Sequence, residues 1–464
     1  MSETLGRAEA SVQVDLIVKP RTLSRRYRVV ALALLRRQSA RNRLWQVGGL
    51  VALVVLAIII ANQFLPESKA IERSNLGLDF VPFYSAGRIC LDGELDTLYD
   101  FDKLEKYQAD KIWPAIPDAK PILGPWWNPP HYALMMSTIA RLPFDEALNA
   151  WTIFGFACVI TSAWLLARHV QRITNDGPKS WMLAPLFLLA SYPCIQALGH
   201  GQNTPLSLLL LTLTALAWRA RRGLLAGVLC GLMVYKPQLS ALVGLMLVLT
   251  LGKRPLIGML AVGIVTILAS EFAMPGMIDR FIEVTPLNLA RIMGADDYLW
   301  HRHATILALT KLGAFDRSSN LVDVISFVGR AFVFGTLLVG LWQARSSQSP
   351  SRGLDRVIVL TILATPLLMP FYFDYDLLLL AVAGVMLAAS MRTESISTPF
   401  DRTILIVGLT WFVFSFFNVF IAGASQINIG TLMLLSLFAL VARRIVWLAR
   451  VETVMGRIPL IARA

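Results

Sequence analysis

The chain has 464 residues, of which 56% are hydrophobic and only 16% charged, with a mean hydropathy of +0.61. A water-soluble core of this length cannot absorb so much apolar side chain, which excludes a soluble domain, alone or carried on an anchor. The net charge of +13 would suit nucleic acid, but the basic residues punctuate apolar blocks as cytoplasmic loops of membrane proteins do, so no nucleic-acid partner is expected.

In chain order, residues 1–45 form a basic arm, too long and too charged for a cleaved signal, and are expected to be cytoplasmic. Hydropathy then predicts twelve spans, near 46–65, 146–168, 181–199, 204–218, 223–235, 238–252, 255–274, 322–342, 354–372, 376–391, 402–421 and 426–448. Blocks such as Trp45–Leu65 approach the roughly 20 residues that a helix needs to cross about 30 Å of hydrocarbon. Several others are shorter, so tilted or broken helices are expected, above all where 223–235 and 238–252 meet at Lys236-Pro237. With the arm inside, the even connections and the basic tail 449–464 are cytoplasmic, and the arm, Arg168–Lys179, Arg219–Arg222, Lys253–Arg254, Arg345–Arg356, Arg392–Arg402 and Arg443–Arg463 together hold 28 of the 43 Lys and Arg. The opposite face receives a first loop, 66–145, a second loop, 275–321, and short turns at His200–Asn203, Tyr235–Gln238 and Phe371–Asp376, where polar and aromatic residues gather. The expected fold is an all-α polytopic membrane protein of about twelve transmembrane helices, with 46–448 as its membrane domain and both termini cytoplasmic. Within the first loop, Pro129–Leu142 is apolar but too short to span and is expected to lie at the interface beside Trp126-Trp127. Cys90, Cys158, Cys194 and Cys230 lack metal-like spacing and read as small core residues.

Chemistry has a limited set of places to reside. Asp79 lies in Gly77-Leu78-Asp79-Phe80-Val81-Pro82-Phe83-Tyr84-Ser85-Ala86-Gly87-Arg88, closely after the first span. A carboxylate there can accept a proton from a sugar hydroxyl, with partial desolvation raising its basicity, or it can simply cap the following helix. His200-Gly201-Gln202-Asn203 offers donors and acceptors for a polyhydroxylated ligand, or a polar turn in which Asn203 caps a helix. Lys236, flanked by apolar helices, calls for an anionic partner: a phosphate headgroup, or a bundle carboxylate such as Glu271. Arg302 stands between His301 and His303; two histidines two apart lack a third zinc ligand of recognisable spacing, so a phosphate or sugar contact is preferred and no metal is expected. Asp374 and Asp376 sit among aromatics, a setting suited to sugar rings or to a solvated helix start. No phosphate-binding glycine loop and no nucleophile or metalloprotease motif occurs.

At these residues the sequence resembles glycosyltransferase family 87, the polyprenol-phosphate-mannose-dependent membrane mannosyltransferases of the C-type superfamily. The resemblance is carried by L-D-F-x-x-F-Y-x-A-G-R with a later L-Y-D, by W-N-P-P at Trp127–Pro130, by G-Q-N at Gly201–Asn203 and by G-L-x-x-x-K-P at Gly231–Pro237, in the family's order over roughly residues 75 to 240. It implies a C-type glycosyltransferase fold whose long first extracytoplasmic loop carries the catalytic aspartate, which maps to Asp79. It also implies a lipid-linked sugar phosphate as donor, delivery to a glycan or glycolipid outside the cytoplasm, an inverting mechanism, and no cofactor. An S-W-x-H-H segment of some members is replaced by Phe371–Asp376, so no histidine role is carried over from it.

The function expected is transfer of one sugar, with mannose foremost, from a polyprenyl phosphate to an acceptor on the periplasmic face of the inner (plasma) membrane. Asp79 is the expected base; Lys236, Arg88 and Arg302 the donor-phosphate ligands; Tyr84, His200, Gln202, Asn203, Asp374, Asp376, His301 and His303 the sugar or acceptor contacts. A flippase for a lipid-linked sugar would share the broken helices and the buried lysine, but alternating access usually accompanies repeats and none is visible. A ligase transferring whole glycans would share the outer site.

Overall fold

The computed structural model describes residues 77–116, 123–174, 188–314, 316–345, 349–394 and 397–457. The basic arm, the expected first span at 46–65 and most of the tail lie outside them. Among the described residues the secondary structure is helical, with one isolated bridge between His303 and Phe373. The helices are α1 (Val81–Asp92), α2 (Phe101–Lys111), α3 (Pro130–Met136), α4 (Phe144–Thr174), α5 (Tyr192–Gly199), α6 (Thr204–Arg219), α7 (Gly223–Gly231), α8 (Pro237–Leu251), α9 (Lys253–Ala273), α10 (Met277–Met293), α11 (Ile306–Leu312), α12 (Asn320–Arg345), α13 (Pro350–Leu368), α14 (Leu380–Thr393), α15 (Asp401–Ser425) and α16 (Ile429–Arg457).

Among the described residues, six helical segments are long and apolar enough to cross a membrane: Phe144–Thr174, Lys253–Ala273, Asn320–Arg345, Asp374–Thr393, Asp401–Ser425 and Ile429–Thr453. The protein is therefore a multi-pass membrane protein. The expected spans at 204–218, 223–235 and 238–252 are apolar helices shorter than that, and the helix over the expected 354–372 span carries Arg352, Asp355 and Arg356 near its start. Length and charge, which hydropathy blocks do not resolve, set these four apart; of the other two, the expected 46–65 span lies outside the described residues, and 181–199 lies partly outside them.

Burial sorts the helices into an inner and an outer set. The segment Asp374–Thr393 is buried over most of its length, and α6 and α13 have largely buried faces. In contrast α9 and α15 project Leu268, Phe272, Phe417 and Phe420 outward, the apolar dress of helices facing lipid. Helices α7 and α9 approach closely because their crossing is built from glycine. A Cβ on Gly227 would lie 2.0 Å from the Pro255 carbonyl oxygen, and one on Gly258 2.5 Å from that of Leu224.

The first loop is no loose excursion. Phe80, Tyr84, Phe144 and Trp151 form one aromatic cluster that fastens α1 to α4. Trp126 is fully buried and stacks on Tyr132, which stacks in turn on Tyr235. This corrects the expectation of an interfacial Trp126: its ring fills the core because a turn of the broken helix presents Tyr235 to it. Cys158, Cys194 and Cys230 are buried and free, as small core residues are.

At the end of the bundle where α13 and α15 begin, ionic groups are knotted together. Arg444, 1% exposed, binds Glu394 at 2.5 Å and Asp401 at 2.8 Å, while Arg356 binds Glu394 at 3.1 Å and Glu452 at 2.6 Å. These residues come from the connections that the sequence groups on one side of the membrane. Removing one partner of a buried pair leaves uncompensated charge, at a cost of about 3–5 kcal/mol. Arg444→Ala should therefore lower detergent-solubilised stability by about that much in chemical denaturation. Arg88→Ala, which breaks an exposed i,i+4 pair with Asp92, should cost no more than about 0.5 kcal/mol.

Candidate functional site

The site starts from two backbone segments docked edge to edge. Gly77 adopts a left-handed φ of 73° and donates to the Gly199 carbonyl at 2.8 Å, and the Asp79 N–H donates to the His200 carbonyl at 3.0 Å. Gly201, at φ 71°, lets the chain pass Phe80: an added Cβ would stand 2.7 Å from that of Phe80. Trp151 Nε1 donates to the Gly201 carbonyl at 2.9 Å and pins the turn to α4. Asp79 thus sits in a 3₁₀ turn, Leu78–Phe80, directly above the G-Q-N turn.

Both side-chain bonds to Asp79 land on Oδ2, from Gln202 Nε2 at 2.9 Å and His200 Nδ1 at 3.2 Å. The side chain is 30% exposed and so reachable. Capping does not explain it, because the N-cap of α1 is Phe80 and no side chain caps that helix. Burial pushes the Asp79 carboxyl up, but the hydrogen bonds and charges of His200, Gln202 and Arg302 outweigh it and hold the carboxyl below the usual carboxylate range. The expected rise in basicity is thereby reversed in direction: hydrogen-bonding partners overcome desolvation.

Gln202 also faces the other way. Its Oε1 accepts from Lys236 Nζ at 3.4 Å, and Lys236 binds Asp376 Oδ1 at 3.1 Å over the ring of Tyr375. Lys236 occupies the break between the 3₁₀ turn Leu232–Tyr235 and α8, in a non-helical conformation (φ −131°, ψ 75°), the helical region being disfavoured before proline. Thr204, at the start of α6, donates to the same Asp376 oxygen at 2.6 Å. A bundle carboxylate does pair Lys236, though it is Asp376 and not Glu271, whose Oε2 takes the Gly276 N–H. Asp374 and Asp376 are 5% and 2% exposed, so neither starts a solvated helix.

Arg302 grips Asp374 in a fork, Nη2 at 3.0 Å from Oδ1 and Nε at 3.3 Å from Oδ2. Burial works against the Arg302 charge, but Asp374, with help from Tyr375 and Asp79, secures it. Asp79, His200, Gln202, Lys236, Asp376, Asp374 and Arg302 are therefore one connected electrostatic neighbourhood, drawn from five separated parts of the chain.

Other candidates lie apart. Arg88 is committed to Asp92 on α1, and the Tyr84 hydroxyl donates to the Leu142 carbonyl within the aromatic cluster. His303 is fully buried; its Nδ1 accepts the Tyr372 N–H at 3.2 Å, and burial holds its ring neutral by lowering its pKa to about 3. It secures the 302–303 and 371–374 segments to each other, out of a ligand's reach. His301 is half-buried, with its pKa lowered by burial. Asn203 is buried at the N-cap of α6 without a side-chain cap bond. Tyr375 beneath Lys236 and Thr204 beside Asp376 were not singled out in the sequence; their adjacency to D-x-D and G-Q-N is the only signal that could have marked them.

The site is an accessible carboxylate beside a buried cation, carried by a helical membrane bundle. The model of glycosyltransferase family 87 matches residues 126–370, just over half of the chain, and the protein belongs to that family. It is accordingly a membrane glycosyltransferase. The match takes in W-N-P-P, G-Q-N and G-L-x-x-x-K-P and runs further than the motifs alone, whereas Asp79 precedes it and Asp374 and Asp376 follow it. No curated protein and no solved structure matched the chain.

The depressed Asp79 pKa has a definite sign. Its contribution to stability is complete above the unfolded value of about 3.9 and is lost as pH falls through the lower folded value. The melting temperature of the wild type relative to Asp79→Asn should therefore hold level from pH 7 down to about 5 and converge only below about 4.

Proposed function

We propose that the chain transfers a single sugar, mannose in the first instance, from a polyprenyl phosphate to a glycan or glycolipid on the extracytoplasmic face of the membrane, with inversion. The observation that carries this reading is Gln202, which hydrogen-bonds Asp79 with its nitrogen and Lys236 with its oxygen. A base and a phosphate-neutralising cation are thereby held one side chain apart. The fold is read as twelve spans, with the two termini on the side of the Arg356–Arg444 network and the Asp79 cluster on the other.

In the proposed step Asp79 accepts the proton of the acceptor hydroxyl as its oxygen forms a bond to the anomeric carbon. The bond from that carbon to the phosphate oxygen breaks, and the lipid phosphate leaves with the electron pair from the opposite face. Lys236 exchanges part of its contact with Asp376 for the departing phosphate, and Arg302 adds positive potential. His200 and Gln202 keep Asp79 ionised, which readies it for a hydroxyl whose acidity rises as the new bond forms. Neither a nucleotide nor a metal has a part in this scheme.

Purified protein incubated with radiolabelled polyprenyl-phosphate-mannose and membrane extract should yield a labelled product chemically distinct from the donor. Asp79→Asn should reduce the rate by about 10²- to 10⁴-fold with donor affinity unchanged, and Lys236→Met should weaken donor affinity by about ten- to a hundredfold, as the loss of a hydrogen bond to a charged group implies. Near-normal turnover by the Asp79 variant would refute its role as base. Movement of intact donor across the membrane without a new product would make the protein a flippase.

A further inference from the structure

A second polar site lies at the opposite end of α4 and α6. These helices leave the Asp79 cluster at Trp151 and Thr204 and reach Arg168 and Arg219 some 17 and 15 residues later, about 25 and 22 Å on at 1.5 Å per residue. That distance is most of a hydrocarbon thickness. There they line a half-open cavity of about 540 Å³, within the range of about 300–1,000 Å³ usual for small-molecule sites.

Its lining is chemically one-sided. Arg168, His169 and Arg172 of α4 and Arg219 of α6 face it together with Trp164 and Ile173. The spacing 164, 168, 172 is one stripe of a helix, so the aromatic ring and two guanidinium groups stack along a single line. Arg168 lies over the Trp164 ring at 5.2 Å, and that ring is itself 52% exposed. Arg219 is paired with Asp355 of α13 at 2.7 Å. Neither Arg168 nor Arg172 has an ion-pair partner among the described residues. Among the described residues the cavity therefore keeps an excess of positive charge at its rim, with apolar wall on the side of the bundle interior from Trp164, Leu165 and Leu216.

We propose that this cavity binds the phosphate headgroup of an anionic lipid in the leaflet opposite the Asp79 cluster, with the lipid's chains lying along α4 and α6. Guanidinium groups on one helix stripe match phosphate oxygens, an indole ring suits the headgroup boundary, and the apolar wall suits hydrocarbon. A soluble anion would have no use for that wall. The headgroup chemistry is shared by bulk anionic phospholipid and by polyprenyl phosphate, and competition separates the two. The site does not depend on Asp79 acting as a base.

The test is native mass spectrometry of the delipidated, detergent-purified chain titrated with phosphatidylglycerol, phosphatidylethanolamine or polyprenyl phosphate. The wild type should retain phosphatidylglycerol at least fivefold better than phosphatidylethanolamine. Arg168→Gln/Arg172→Gln should abolish that preference, and Arg168→Lys/Arg172→Lys should keep most of it. Arg443→Gln/Arg450→Gln, an equal charge loss at two exposed positions of α16, should leave it unchanged. Displacement of phosphatidylglycerol by equimolar polyprenyl phosphate would identify the carrier lipid as the occupant; resistance would identify the phospholipid. Equal retention by the Arg168/Arg172 glutamine variant, or an equal loss in the Arg443/Arg450 control, would overturn the proposal, the second by reducing it to diffuse charge attraction.

Discussion

A lysine set among apolar helices cannot stand alone, and much of the arrangement around it follows from that cost. Lys236 is answered by Asp376, by the Gln202 carbonyl and by the face of Tyr375. Asp376 in turn needs a second donor and finds it in Thr204, which ties the start of α6 to the turn before α14. Arg302 and Asp374 repeat the logic one step further out, and His303 closes that step by accepting the Tyr372 N–H. Five regions far apart in sequence are brought to one place because each supplies the hydrogen-bonding capacity that another lacks.

The same economy explains the position of Asp79. Gln202 is bifunctional, and its amide nitrogen, once the oxygen is turned toward Lys236, points at a carboxylate. Left-handed glycines at 77 and 201 permit the two backbone segments to meet. The exposed carboxylate is thus positioned by buried charge pairs that a ligand need not touch, which is how a rigid polar site is kept rigid in a membrane bundle.

Much of this was legible in the residues. The all-α membrane class follows from composition, and the helix break at Lys236-Pro237 follows from proline chemistry and is realised as a 3₁₀ turn. Asp79, His200, Gln202, Lys236, Arg302, Asp374 and Asp376 were each marked by polarity in apolar surroundings, and they do converge. Their pairing was not legible, because which carboxylate answers Lys236 is a tertiary fact: Glu271 is nearer in sequence, yet α9 carries it to the Gly276 turn. Nor could periodicity tell that His303 is a latch or that Trp126 is core. An aromatic beside prolines reads equally well as an interfacial anchor until Tyr132 and Tyr235 are seen to stack beneath it.

The brevity of α8 has a consequence for the surrounding lipid. Its 15 residues span about 22 Å, short of the roughly 30 Å hydrocarbon slab, and Leu245 and Leu249 still face outward. As one of the proposed spans, α8 would call on acyl chains at this flank to compress, which would draw the headgroup plane toward its N-terminus, where Lys236 stands. On that reading, hydrophobic mismatch would shorten the path by which an amphiphile brings its polar end level with the lysine while its tail stays in oil.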